Sequence, residues 1–333
     1  MARWRLVTGD AMFFRSIVLV LLSTVAANAG PLQQGVGFIN DGEYDQAIPL
    51  LETAAENPGT EPEAVLLLTQ ACNQLEDWES GIGYGKRAVK LMPETADAHY
   101  QYAVALRIKM SNVGKARAMF TLRTYKKELK QAIKLDPTNI DALTERIGFL
   151  MNAPGIAGGD LEEAEKELIK LEKLDWLVAK QMQLGIEVKR EDNLAAINVS
   201  KEILRRYPDN TDARSAFGYM LQQKNLFKEA DVQFAQLVES DDTVVQLGAL
   251  YQRGRGRILG NFELLEAIGM FETYIERLGA GSSKLPSEAA ARWRIGMAYK
   301  NLGQIEAARD AFEWAVRLDP DLKEARKSLK ELS

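Results

Sequence analysis

Between Glu288 and Pro320 the apolar positions fall into two stripes, each spaced as one face of a helix. Trp293, Ile295, Gly296 and Tyr299 make the first stripe, and Ala308, Phe312 and Ala315 make the second. Asn301-Leu302-Gly303 separates them and Pro320 closes the stretch, so the pattern predicts two short amphipathic helices joined by a tight turn. Small residues at Gly296 and Ala308 let the two backbones approach, while Tyr299 and Phe312 fill the space on either side. The same alternation recurs upstream at a fixed period. Ala47 and Gly81 stand 34 residues apart, as do Ala196 and Ala230, and Phe234 takes the place of Phe312.

Read in order, this pattern divides the chain into eight helix pairs, 30–61, 62–95, 96–138, 139–176, 177–210, 211–242, 243–287 and 288–320, followed by a capping helix, 321–333. Three pairs exceed the period. The excess in the third lies at 111–125 and carries Lys115, Arg117 and Arg123, with Lys126 and Lys127 just beyond. It predicts a lengthened second helix or an extra turn, with its cationic face in solvent. The fourth contains Ala153-Pro154-Gly155-Ile156-Ala157-Gly158-Gly159-Asp160, where proline and paired glycines predict a shaped loop. Asp160, with Glu163 three residues on, reads as the N-cap of the helix that follows. In the seventh, the excess falls on 253–260, Arg253-Gly254-Arg255-Gly256-Arg257-Ile258-Leu259-Gly260, and a linker, Gly279–Pro286, precedes the eighth. The closing helix is rich in Lys and Glu, as a solvent-facing cap should be.

These positions and this spacing resemble the tetratricopeptide repeat, a 34-residue helix-turn-helix. The resemblance implies an all-α fold, a right-handed superhelical solenoid. The order of irregularities, ending in the APGIAGGD loop and the YQRGRGRILG segment, is similar to a group of exported bacterial tetratricopeptide proteins. Such arrays bind protein or peptide partners on a concave face lined by the first helix of each pair. Their register puts Leu66, Gln70 and Asn73 there from the second pair, and Tyr100, Val104 and Arg107 from the third. The sixth pair contributes Ser215, Tyr219 and Gln222, and the eighth Trp293, Met297 and Lys300. The lysine and asparagine set that clamps a peptide C-terminus in the chaperone-binding members is not reproduced.

Composition narrows the chemistry. The chain has one cysteine and one histidine, which leaves little for thiolate, imidazole or zinc chemistry. Cys72 falls at the place of Tyr299, on the packed side, and reads as a small buried hydrophobe. His99 has no metal-spaced partners in sequence, and neither glycine-rich segment makes a P-loop or G-x-G-x-x-G after a strand. Glu162/Glu163 and Asp241/Asp242 read most simply as charges at helix starts. No cofactor, metal or catalytic set is expected, and the chain reads as a non-enzymatic scaffold.

At the N-terminus, Arg3, Arg5 and Arg15 precede an apolar run, Ile17–Val25, and an Ala27-Asn28-Ala29 cleavage signal, with Met12 an alternative start. The expectation is a signal peptide, 1–29, and an exported, periplasmic protein with no integral span. Removing it leaves 39 basic and 46 acidic residues, a net charge of −7, against a nucleic-acid partner. Within that acidic chain Arg253, Arg255 and Arg257 stand near the last pair, which adds Arg292, Arg294 and Lys300. Arg253, Arg255, Arg257 and Arg294 read either as a site for an anion or acidic partner, or as a solvated turn paired with Glu263 and Glu266. A protein or peptide scaffold of the cell envelope is the first functional reading. Binding of a cell-wall polymer, or service as an accessory to an envelope biogenesis enzyme, is the alternative.

Overall fold

A computed structural model describes residues 30–279 and 285–332, and every regular element among them is helical. The expected signal peptide, and residues 280–284 of the expected linker, lie outside the described residues. The chain divides into two compact units, Met1–Arg146 with Ala153–Gly158, and Ile147–Asn152 with Gly159–Ser333.

The first unit contains α1 (Pro31–Asp41), α2 (Tyr44–Ala54), α3 (Glu61–Gln74), α4 (Trp78–Leu91), α5 (Ala96–Asn112), α6 (Lys115–Leu135) and the start of α7 (Ile140–Asn152). The second contains the end of α7, then α8 (Leu161–Leu174), α9 (Trp176–Lys189), α10 (Asn193–Arg206), α11 (Thr211–Gln223) and α12 (Phe227–Leu237). It continues through α13 (Thr243–Gly260), α14 (Leu264–Arg277), α15 (Glu288–Asn301), α16 (Ile305–Leu318) and α17 (Lys323–Lys330).

Within a pair, a glycine of the first helix lies under a large residue of the second. A Cβ on Gly35 would come within 2.6 Å of Leu51, on Gly218 within 2.7 Å of Phe234, on Gly254 within 2.7 Å of Phe271, and on Gly296 within 2.5 Å of Phe312. Leu51, Phe234, Phe271 and Phe312 are correspondingly buried. Burying such a side chain stabilises the pair by roughly 1.5–3 kcal/mol, so the glycine's helix-propensity cost of about 1 kcal/mol is more than offset.

The turns between paired helices also repeat. Gly42, Glu76, Glu191, Asn225, Asn261 and Gly303 all have positive φ. In each case the next amide donates five residues back, from Glu43 to Phe38, Asp77 to Cys72, Asp192 to Glu187, Leu226 to Leu221, Phe262 to Arg257 and Gln304 to Tyr299. This is the Schellman closure, which satisfies helix-end carbonyls that would otherwise be orphaned.

The long pairs resolve differently from one another. In the third, both helices are extended, α5 to 17 residues and α6 to 21. The fourth has the expected loop, with a short 3₁₀ turn at Gly155–Ala157 and Gly158 at φ +99°. Asp160 caps α8 by accepting from the amides of Glu162 and Glu163. The seventh departs from the turn reading. Arg253–Gly260 is the last part of α13, an uninterrupted 18-residue helix. Its glycines are packing positions, because a Cβ at Gly256 would lie 3.0 Å from the Gln222 side chain.

Candidate functional site

Helical geometry sorts the three arginines of α13 by face. Arg253 and Arg257 are four residues apart and point the same way, whereas Arg255 points away from both. On the first face stands Asp231 of α12. Arg253 Nε lies 3.0 Å from Asp231 Oδ1 and Arg257 Nη2 lies 3.0 Å from Oδ2, while Arg257 Nη1 also reaches Glu263 at 2.8 Å. Burial pushes the Asp231 carboxyl up, but hydrogen bonds from Arg257 and Arg253 outweigh it and hold its pKa below the usual range. These two arginines are therefore structural, and only their pairing with Glu263 was expected.

Arg255 has no carboxylate within ion-pair distance among the described residues. Its Nη1 donates to the side-chain oxygen of Gln222, and at 3.4 Å to that of Gln252. Gln222 in turn donates from Nε2 to the Gln252 carbonyl at 2.9 Å, so α11 and α13 are stapled beneath the guanidinium. Burial lowers the Arg255 pKa, and the neighbouring cation of Arg294 on α15 lowers it further. Arg294 lies with its guanidinium carbon 4.2 Å from the Trp293 ring centroid and, among the described residues, donates only to the soft sulfur of Met297, at 3.6 Å. Its Nε is buried with no hydrogen-bond partner. Tyr219, at 37% exposure, borders Arg255 and packs edge-on to Phe234 with centroids 5.3 Å apart. Burial raises its phenol pKa, against the pull of Arg255.

The outcome is two half-buried guanidinium groups close enough to repel, over an amide-and-aromatic floor, with no carboxylate at ion-pair distance among the described residues. Guanidinium binds carboxylate and phosphate through paired hydrogen bonds, and partial desolvation strengthens the attraction. The arrangement suits an acidic group. Among the described residues no cluster of three or more His, Cys, Asp or Glu is placed to hold a metal ion.

The remaining residues fall elsewhere. Gln222 and Asn73 are buried at 6% and 8% exposure, because each amide is used between adjacent first helices instead of facing solvent. Asn73 Nδ2 donates to the carbonyl and to the side-chain oxygen of Gln101, both at 2.9 Å. Gln70 and Tyr100 are half-buried in the first unit. Burial raises the Tyr100 pKa, and Asp141 and Glu145 raise it further, while Arg107 Nε is held by Glu145 at 3.0 Å. That surface is already neutralised. In the second unit α17 covers the last pair. Trp293 Nε1 donates to Ser328 Oγ at 3.0 Å, and Lys300 Nζ pairs with Glu331 at 3.0 Å.

His99 is buried between Glu128, 2.6 Å from Nδ1, and the Pro93 carbonyl, 2.9 Å from Nε2, which accounts for both ring nitrogens. Cys72 is buried, and burial followed by the charges of Asp77 and Glu52 pushes its thiol up to about 11. Sequence reasoning missed Gln252, Asp231, Ser328 and Glu331. The four-residue spacing of Arg253 and Arg257 was a usable signal for a shared counter-ion once the segment is read as helix.

Family models for the tetratricopeptide repeat match residues 32–94 and 289–331. No curated protein sequence matches the chain. A tetratricopeptide repeat protein from Parabacteroides merdae ATCC 43184 is similar in structure at 12% identity, over 80% of this chain and 97% of its own, with a TM-score of 0.52. The APC/C hetero-tetramer Cut9–Hcn1 contains a chain similar at 12% identity, over 87% of this chain and 52% of that one, with a TM-score of 0.52. A thermophilic tetratricopeptide protein of Thermus thermophilus aligns at 20% identity over 58% of this chain and 97% of its own, with a TM-score of 0.48. The chain carries tetratricopeptide repeats in an all-α fold of that class. Tetratricopeptide proteins bind protein or peptide partners and are generally non-catalytic scaffolds.

Proposed function

We propose that the chain is a non-enzymatic scaffold of the bacterial cell envelope that holds an acidic segment of a protein partner against α11, α13 and α15. The observation that carries this reading is the Arg255–Arg294 pair, two partly desolvated cations with no carboxylate between them. Natural folds seldom leave buried charge unbalanced, because desolvation is costly unless a counter-charge arrives. Tyr219 and Met297 supply adaptable apolar contact beside the cations, a combination found at peptide-binding surfaces. The envelope location rests on the arginines, apolar run and Ala27-Asn28-Ala29 of the leader. Among the described residues no helix is long and apolar enough to cross a membrane.

The test is a titration of a fluorescent glutamate-rich peptide into the chain and into Arg255→Gln/Arg294→Gln. Saturable binding that weakens at least tenfold in the double variant supports the site. Equal binding by both proteins removes it. Location is checked separately, by fractionating cells that express the full chain and sequencing the N-terminus of the recovered protein. A chain that begins at Met1 and is recovered from the cytoplasm would refute the envelope reading. Retention of purified cell-wall polymer, with no peptide binding, would move the function to the polymer alternative.

A further inference from the structure

The extended start of α6 has properties that the packing of its unit does not require. From Lys115 to Lys134 the chain carries Lys115, Arg117, Arg123, Lys126, Lys127, Lys130 and Lys134 against one acidic residue, Glu128, in a protein whose net charge is −5. Glu128 is buried at 3% exposure, with one carboxylate oxygen turned toward His99 and the other paired with Lys127 at 3.1 Å. Lys115, Arg117, Arg123 and Lys130 make no ion pair among the described residues and are exposed.

Large apolar side chains are exposed on α6 and on the loop tied to it. Phe120 is 85% exposed, Met119 50% and Ile156 91%. Helical spacing places Arg117 and Arg123 beside Phe120, and Lys115 and Arg123 beside Met119. Lys126 Nζ donates to the Ala157 carbonyl at 3.1 Å, which ties the loop that bears Ile156 to this helix. Along the axis Lys126 is about 9 Å from Phe120. The α6 face therefore carries protruding Phe120 and Met119 among exposed cations, and the loop that bears Ile156 is tied to the same helix.

A protein partner favours apolar anchors that meet a pocket or a flat, partly buried patch. Side chains as exposed as Phe120 and Ile156 stand out from the surface, as those of interfacial helices do. Cations flanking such tips match an anionic headgroup layer, where each lysine or arginine adds about 1 kcal/mol.

We propose that the α6 face, with the Ile156 loop, docks on an anionic phospholipid bilayer, Phe120 and Ile156 entering the headgroup–acyl boundary and the cations contacting phosphates. The site lies in the first unit and is independent of the Arg255–Arg294 reading.

The experiment is co-sedimentation of the chain from Gly30 onward with phosphatidylcholine vesicles with and without phosphatidylglycerol, circular dichroism reporting helix content. The buried clusters among the described residues begin at or after Leu32, so the shortened chain keeps every residue of them. Partition onto the phosphatidylglycerol vesicles should fall about 25-fold in Arg117→Gln/Arg123→Gln, roughly fivefold for each lost charge. It should fall at least tenfold in Phe120→Ser/Ile156→Ser, and Phe120→Trp should show a blue-shifted emission on the anionic vesicles only. Binding indifferent to phosphatidylglycerol, or unchanged in both double variants, would overturn the proposal. So would Arg117-dependent binding of a glutamate-rich peptide with no vesicle binding, which would assign the patch to a protein.

Discussion

Asn73 and Gln222 make the same bond in different units. Each side-chain amide donates at 2.9 Å to a backbone carbonyl in the next first helix, Gln101 for one and Gln252 for the other. Three residues past the acceptor the two surfaces part. In α5 that position is Val104, at 8% exposure, and the nearby Arg107 is held by Glu145. In α13 it is Arg255, whose hydrogen-bond partners among the described residues are amide oxygens and whose pKa the cation of Arg294 lowers further. One scaffold thus yields a closed, neutralised surface and an open, cationic one. The staple sets position, and the neighbours set the chemistry.

The largest effect expected concerns the charges that the open surface does not use. Asp231→Ala leaves Arg257, 9% exposed, and Arg253, 19% exposed, without their shared counter-ion. Losing one partner of so buried a set should cost about 3–5 kcal/mol, read as a fall in the urea midpoint. The pH dependence has a definite sign. A carboxyl whose folded pKa is depressed stabilises fully above the ordinary carboxylate range and loses that contribution as pH falls through its folded value. The gap between wild type and Asp231→Asn should therefore be widest near neutrality and close in acid.

Removing the open surface's own charge should act on binding and spare stability. Arg255→Gln/Arg294→Gln is expected to weaken glutamate-rich peptide binding by about ten- to a hundredfold, while the midpoint holds or rises, since two mutually repelling cations are gone. A fall matching that of Asp231→Ala would erase the distinction between the two faces of α13. The staples themselves should be worth less. Asn73→Ala and Gln222→Ala are each expected to cost about 1 kcal/mol, because the freed carbonyls keep their helical partners. Only Gln222→Ala should also weaken peptide binding, since it supports Arg255.

Cys72 reports on the closed surface from inside. With its thiol pushed up to about 11 and its side chain 1% exposed, it should resist iodoacetamide at pH 8 in the folded chain and react once urea unfolds the first unit. Asn73→Ala should speed that labelling. The smallest effect belongs to Lys300, whose pair with Glu331 is well exposed. Lys300→Ala should change stability by less than about 1 kcal/mol and leave peptide binding unaltered.

The repeat was legible because packing imposes its period directly on residue size. Gly218 under Phe234 and Gly296 under Phe312 are the same requirement written twice. The candidate residues could be picked from the sequence, but not their arrangement. Reading 253–260 as excess length, with a solvated turn as one alternative, hid the helix that sends Arg255 one way and Arg253 and Arg257 the other. Helix register also does not say whether an amide near a helix end faces solvent or a neighbouring carbonyl, so Asn73 and Gln222 fell on the wrong side of that choice. Trp293 and Lys300 depended on where α17 would lie, which their own pair does not encode.

Within each unit, every substantial contact joins helices one or two places apart in the chain. Among the described residues no strap runs from one end of a unit to the other. A chain built this way should respond to tension like a row of separate fasteners. Pulled from its ends in an optical trap, it should lengthen in a succession of small, low-force steps, each the release of one helix pair, and it should regain them one by one as the load is removed.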